Sequence, residues 1–290
     1  MKKVLLSRPV LSWALYDWGN SAFATTVMAG FFPIFYSTLS QDLSVQDSQF
    51  WFNITLAGSS ILVAATAPIL GAIGDRSGGR KRFLATFAML GVMMTAGLAW
   101  VHAGQWVLGL ALYGLGTIGF SGANIFYDSM LVDVSDEDQF DLVSAFGYGL
   151  GYLGGGLLFT VNILMVNNPE SFGLADAGSA VKWSFLSVAV WWLAFTIPLL
   201  TGVKELPTEH KSTRMQAVTE GLAQLKGTFQ EIRKLKVLLI FLVGYWLYID
   251  AVNTVIKTAV FFGDKVLGLP QASLVTALLV TQFVAFPAAM

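Results

Sequence analysis

The sequence predicts an all-α membrane protein of eight spanning helices. Three observations lead there. Only 12% of the 290 residues are charged and 55% are hydrophobic, whereas a soluble domain carries about 25% charged residues to dress its surface. Eight stretches stay apolar for the ~20 residues that a bilayer crossing needs: 10–39, 50–74, 83–101, 106–132, 142–166, 182–202, 237–262 and 270–290. The basic residues then fall almost wholly on one side of the bilayer when the chain is threaded through those eight crossings.

With a cytoplasmic N-terminus, 14 of the 17 lysines and arginines are inside: Lys2, Lys3, Arg8, Arg76, Arg80, Lys81, Arg82, Lys204, Lys211, Arg214, Lys226, Arg233, Lys234 and Lys236. Lys182 and Lys265 fall outside, and Lys257 lies within a helix. One missed crossing would scramble that alternation, so the asymmetry supports both the orientation and the helix count. Localisation in a cell (inner) membrane is the matching expectation.

The first crossing, 10–39, follows Lys2, Lys3 and Arg8 as a signal peptide would. It holds Asp17, runs well past signal-peptide length and has no Ala-x-Ala site, so it reads as an uncleaved helix. The crossings 50–74 and 83–101 are joined by a glycine-rich basic loop, and those at 106–132 and 142–166 by an acidic one. The crossing 182–202 completes a six-helix block, residues 1–203. A polar linker, 204–236, comes next. Inside it Met215, Val218, Leu222, Leu225, Phe229 and Ile232 recur at spacings of three and four, an amphipathic helix lying on anionic headgroups or, less simply, meeting a regulatory partner. The crossings 237–262 and 270–290 begin a second block, residues 237–290. The sequence stops inside an apolar run, as a truncated reading frame would.

Composition also excludes functions. No cysteine is present, which removes thiolate metal sites, iron–sulfur clusters and cysteine nucleophiles. No soluble basic domain offers a nucleic-acid surface. His102 and His210 both fall in loops and assemble no catalytic or metal-binding group, so no cofactor is expected. The acidic run from Asp133 through Asp136, Glu137 and Asp138 to Asp141 lacks the glycine and spacing of a calcium loop and reads as solvated. Gly114-x-Gly116-x-x-Gly119 and Gly149-x-Gly151-x-x-Gly154 match the dinucleotide fingerprint but follow no strand; such spacings let membrane helices pack closely.

The most specific motif lies between the second and third crossings: Gly71, Asp75, Arg76, Gly78, Gly79, Arg80, Lys81 and Arg82. It resembles the signature loop of the major facilitator superfamily, with an extra glycine at position 79. Gly71 permits close helix approach, Gly78 and Gly79 a tight turn, and Asp75 and the arginines pair or cap helix ends. The resemblance implies a major facilitator-type helical bundle: a six-helix N-terminal half plus the first two helices of the second half. Helix 1, Trp13-Ala-Leu-Tyr16-Asp17-Trp18-Gly19-Asn20, narrows it. Together with Phe126-Tyr127-Asp128, Leu131-Val-Asp133, the glycine-rich run from Gly147 to Gly156, and Tyr248-Ile-Asp250-Ala-Val-Asn253, it is similar to the vacuole-effluxer-like family. That family implies about twelve helices, small-solute transport and amino acids as the candidate substrate. The fifth helix lacks the proline of the antiporter motif, which leaves the direction of transport open.

The intramembrane charges carry the chemistry. Asp17 lies nine residues past Arg8, ~10–14 Å into the helix, and Asn20 shares its face. A charged Asp in the bilayer centre costs about 2.5–3.5 kcal/mol on insertion scales, so it should face a bundle interior or an aqueous cavity. Asp250 and Asn253 repeat that spacing, with Lys257 one turn on, as in transporters whose site lies between two repeated halves. Asp17, Asn20, Asp250, Asn253 and Lys257 are therefore candidates for a substrate or proton path. The competing reading is that they pair across helices and hold the bundle, with Lys257 snorkelling to the interface. Gly71, Asp75, Arg76, Gly78, Arg80 and Asp128 are candidates for a conformational gate, Asp128 pairing with Arg76 or Arg80 as the superfamily implies. Asn124 and Asn162 are expected to hydrogen-bond between helices.

The function expected is a secondary active transporter, moving a small solute through the lipid bilayer by alternating access, with protons as the candidate coupling ion. The alternative is an inactive fragment or a non-transporting membrane scaffold. A membrane enzyme would need a second acidic motif beside the first, and the sequence has none.

Overall fold

The computed structural model describes residues 2–77, 79–206, 227 and 230–289. Among these residues all regular structure is helical, and 8 helices are long and apolar enough to cross a membrane. They are α1 (Arg8–Leu39), α2 (Val45–Ser77), α3 (Arg80–Gly97, with a 3₁₀ turn to Trp100), α4 (Trp106–Ser129), α5 (Phe140–Asn167), α6 (Ala177–Gly202), α7 (Lys236–Lys265) and α8 (Gln271–Ala289). Met215, Val218, Leu222, Leu225 and Phe229 of the expected amphipathic helix lie outside the described residues.

Two helices start five residues before their apolar runs. Ser44 and Asp47 form a reciprocal cap: the Asp47 amide donates to Ser44 Oγ at 3.0 Å and that hydroxyl donates to the Asp47 carboxylate at 2.7 Å. This starts α2 at Val45. Asp176 accepts the Ser179 amide at 2.6 Å, which draws the start of α6 back to Ala177 and puts Lys182 inside the helix rather than ahead of it.

α1 is the axis of the bundle. It packs against α5 and α6 along its first half and against α7 and α8 further on. Its middle, Phe23–Phe31, is wound as a π-helix, and the Phe32 amide bonds back five residues to the Val27 carbonyl. Pro33 follows at once. A proline has no amide to donate and crowds the carbonyl four residues before it, so the turn ahead of it loosens.

Small residues set the closest approaches. A Cβ on Gly119 of α4 would stand 2.7 Å from Gly91 Cα of α3, and Gly154 of α5 lies against the Trp18 carbonyl of α1. The glycine spacings that mimic a nucleotide fingerprint are thus helix contacts. Aromatic rings fill the space between α1, α2, α4 and α7. Phe32 stacks on Tyr113 at 3.9 Å, and Phe52 stacks on Phe261 at 5.5 Å with planes 9° apart.

Candidate functional site

The starts of α1 and α3 and the end of α6 share one face of the bundle, the basic face. About one third of the way in from it, α1 turns Asp17 toward α5. The residue is 9% exposed. Ser21, one turn on, donates its hydroxyl to Asp17 Oδ1 at 3.2 Å. Gly151 of α5 makes the room, for a Cβ there would lie 2.9 Å from Asp17 Oδ2 and 2.6 Å from Ser21 Oγ. Asn20 points toward α4, and its amide donates to Asn124 Oδ1 at 2.6 Å. Asn162 of α5 likewise accepts the Ser187 hydroxyl of α6 at 2.9 Å. Both amides join helices, as expected of them.

Aromatic residues wall the carboxylate. Trp13 donates its indole N–H to the Tyr127 carbonyl at 3.0 Å and stacks on the Tyr127 ring at 4.4 Å. Tyr16, fully buried, lies 5.0 Å from that ring. Among the described residues the buried hydroxyls of Tyr16 and Tyr127 and the Oδ1 of Asn20 make no hydrogen bond, although Tyr16 lies beside Trp192 and Asn20. Orphaned polar atoms beside a carboxylate are costly unless water, a proton or a ligand visits them. Sequence reasoning missed both tyrosines. Their signal was the dipeptide Tyr-Asp, at Tyr16-Asp17 and again at Tyr127-Asp128, read only for its acid.

Asp128 ends up here rather than at the loop. It sits on the last turn of α4, exposed and close enough to Asp17, Tyr16, Tyr127 and Tyr148 to act on them electrostatically. Asp128 was expected to pair with Arg76 or Arg80; Arg80 pairs elsewhere, and the side chain of Arg76 lies outside the described residues. Arg80 donates to Asp133 Oδ1 at 2.8 Å and to the Ser129 carbonyl at 2.9 Å. The reason is position. Asp133 stands in the turn beyond the end of α4, where the start of α3 reaches it, whereas Asp128 lies exposed on the last turn of α4.

Asp133 is therefore not part of a solvated run. Its side chain is fully buried beside Arg80, and it also accepts the Leu206 amide at 3.0 Å. Burial pushes its carboxyl above the usual range, while the Leu206 amide and Arg80 pull it back. Glu205 accepts the Lys81 amide at 2.6 Å, and Lys81 Nζ donates to the Leu200 carbonyl at 3.0 Å. The α2–α3 loop is thus tied to the ends of α4 and α6. Gly71 has open space around it. The side chains of Asp75 and Arg76, and all of Gly78, lie outside what is described.

Asp250 and Asn253 stand apart from Asp17 and Asn20. They line a cavity between α7 and α2, and among the described residues no hydrogen bond joins the two pairs. Asp250 is 14 residues past Lys236, ~21 Å into its helix, so it is also the deeper carboxylate. α7 packs on α1 beyond the level of Asp17, and nothing brings its polar face round to α5. Lys257 lies on α7, its side chain outside the described set. Among the described residues no three His, Asp or Glu side chains gather to hold a metal.

A family model described as vacuole effluxer Atg22 like matches residues 52–290. An uncharacterized MFS-type transporter, YxiO of Bacillus subtilis, is 38% identical over 279 residues, covering 95% of this chain and 64% of that one. Autophagy-related protein 22 of Eremothecium gossypii is 21% identical over 325 residues, covering 95% of this chain and 63% of its own. The chain thus spans less than two thirds of the length of these relatives. Among solved structures, that of a D-xylose-proton symporter superposes with a TM-score of 0.58 at 17% identity, covering 97% of this chain and 66% of that one. That likeness establishes the major facilitator fold.

Proposed function

The chain belongs to the Atg22-like vacuole effluxer family, and we propose that it forms the N-terminal half and the start of the second half of a secondary active transporter that moves a small solute by alternating access, coupled to protons through Asp17. The observation that carries the coupling is the setting of Asp17: a carboxylate 9% exposed, held by one serine hydroxyl, with the orphaned hydroxyls of Tyr16 and Tyr127 nearby. An ionised carboxylate so placed lacks the partners that would offset its desolvation, so a proton that comes and goes is the simplest occupant. Asp128, whose charge acts on Asp17, lies between it and the basic face, which the positive-inside rule makes cytoplasmic.

The Arg80–Asp133 tie, with Lys81 and Glu205, is the gate in this reading. It binds the ends of α3, α4 and α6 into one body that can rock against α7 and α8. Amino acids are the substrate to try first, by family resemblance.

The test is reconstitution of the protein in proteoliposomes under an imposed pH gradient, with labelled amino acids as cargo. Asp17→Asn is expected to abolish gradient-driven accumulation while leaving counterflow exchange in place. Accumulation equal to wild type would remove Asp17 from coupling. No movement of any cargo by the wild-type protein would favour the scaffold reading.

A further inference from the structure

Asp17 and its neighbours leave the polar face of α7 unused. Asp250, Asn253 and Thr254 form one stripe on that helix, since residues three and four apart share a face. Gln49, Asn53 and Ser60 form a matching stripe on α2. The two stripes face one another across a cavity of about 530 Å³, within the size range of small-molecule sites. Phe261 borders it and stacks on Phe52 at 5.5 Å.

Three properties point to what the cleft holds. First, the side chains of Gln49, Asn53, Ser60, Asp250 and Asn253 make no hydrogen bond among the described residues. Such groups on two spanning helices are costly against lipid and gain by a polar occupant. Second, Asp250 is the sole ionisable group among the described residues lining the cleft, and among them its charge sets the preference. Third, the remaining polar groups are amides and hydroxyls, which accept and donate alike, beside aromatic faces that favour a cation.

We propose that the α2–α7 cleft is a binding site for an organic ammonium, its cationic nitrogen paired with Asp250 and its other polar groups held by Asn53, Ser60 and Asn253. This names a substrate class and a place for it, and it rests on the transporter reading. An anion of the same size is repelled by Asp250, and a neutral alcohol forgoes the ion pair.

Three solutes of one shape test it: 2-phenylethylamine, 2-phenylethanol and phenylacetate, titrated into the purified full chain in detergent and followed by saturation-transfer NMR. The amine is expected to bind saturably and at least tenfold more tightly than the alcohol, and phenylacetate not at all. Asp250→Asn should weaken the amine at least tenfold. Ser60→Trp, which fills the cleft from the α2 side, should do the same if Asp250→Asn fails to fold, and Gly58→Ala, with nothing within 4 Å of its added carbon, should not. Amine binding within twofold of wild type in both cleft variants overturns the proposal, as does phenylacetate binding as well as the amine. The two readings fail separately. Loss of coupling in Asp17→Asn with unchanged amine binding in Asp250→Asn sinks the cleft and spares the transporter. Binding that follows Asp250 in a protein that moves no solute spares the cleft and sinks the transporter.

Discussion

Gly119→Ala puts the packing of the N-terminal bundle to a quantitative test. The added Cβ would lie 2.5 Å from the Gly91 amide nitrogen, 2.7 Å from Gly91 Cα and 2.7 Å from the Phe87 carbonyl oxygen. All three are backbone atoms of α3, so no rotamer change relieves them. Ordinary contact begins near 3.4 Å. α3 and α4 must therefore separate by roughly 0.9 Å at this point, in a core where overpacking costs about 1–3 kcal/mol. Gly122→Ala is the companion: its Cβ would also come as near as 2.5 Å, but only to the Phe87 ring, which can swing aside, so it should cost less. Gly58→Ala, in open space, should be neutral or slightly stabilising, because alanine favours helix. Thermal unfolding of the three purified variants, read by circular dichroism, should rank them in that order. Gly119→Ala as stable as Gly58→Ala would mean that α3 and α4 do not touch through these glycines.

Three further outcomes follow from the geometry. Arg80→Met leaves the Asp133 carboxylate buried without its cation and should lower stability by about 1.5–3 kcal/mol, the range for a hydrogen bond to a charged group, measured by chemical unfolding against wild type. Because the native Asp133 carboxyl sits above the usual range, the folded state binds that proton more tightly than the unfolded chain does. Its contribution to stability should thus grow as pH falls through the native value toward the ordinary carboxylate value, and Asp133→Asn should flatten that part of the stability–pH curve. Asp176 runs the other way. Its carboxylate is held below the usual range by the Ser179 amide, so its cap is present above the ordinary carboxylate value and is lost as pH falls through the lower native one; hydrogen exchange at the Ser179 amide should accelerate over that window in wild type but not in Asp176→Asn.

Much of this was legible in the chain. A 20-residue apolar run has one outcome in lipid, and eight such runs gave eight helices. The ends were less legible because capping is local: Ser44 with Asp47, and Asp176 alone, add turns that hydropathy ignores. The π-helical stretch of α1 left one clue, Pro33, which a periodicity argument reads only as a kink. At the candidate site, Asp17 stood out because a carboxylate in lipid demands a reason. The rotation of Asp128 was not, since five residues separate it from Asp133 and no spacing rule says which of the two meets Arg80. The tyrosines escaped for a related reason. A buried ring is ordinary, and only the missing partner of its hydroxyl marks it.

The two carboxylates of α1 and α7 occupy different levels, ~13 Å and ~21 Å from the starts of their helices on the basic face. If Asp17 takes the proton and Asp250 the solute, the two bind at different levels with no hydrogen bond between them among the described residues, and coupling in this reading is not a direct exchange. It must pass through packing that both sites bias. The structure offers two such contacts between the halves: Phe52 on Phe261, bordering the cleft, and α7 against the π-helical stretch of α1, which begins six residues after Asp17. A solute drawn onto Asp250 presses on the first, and a change of charge at Asp17 acts on the second. α7 takes part in both contacts as one continuous helix, and a rigid rod held at two points is the simplest device by which filling one site can retune the other.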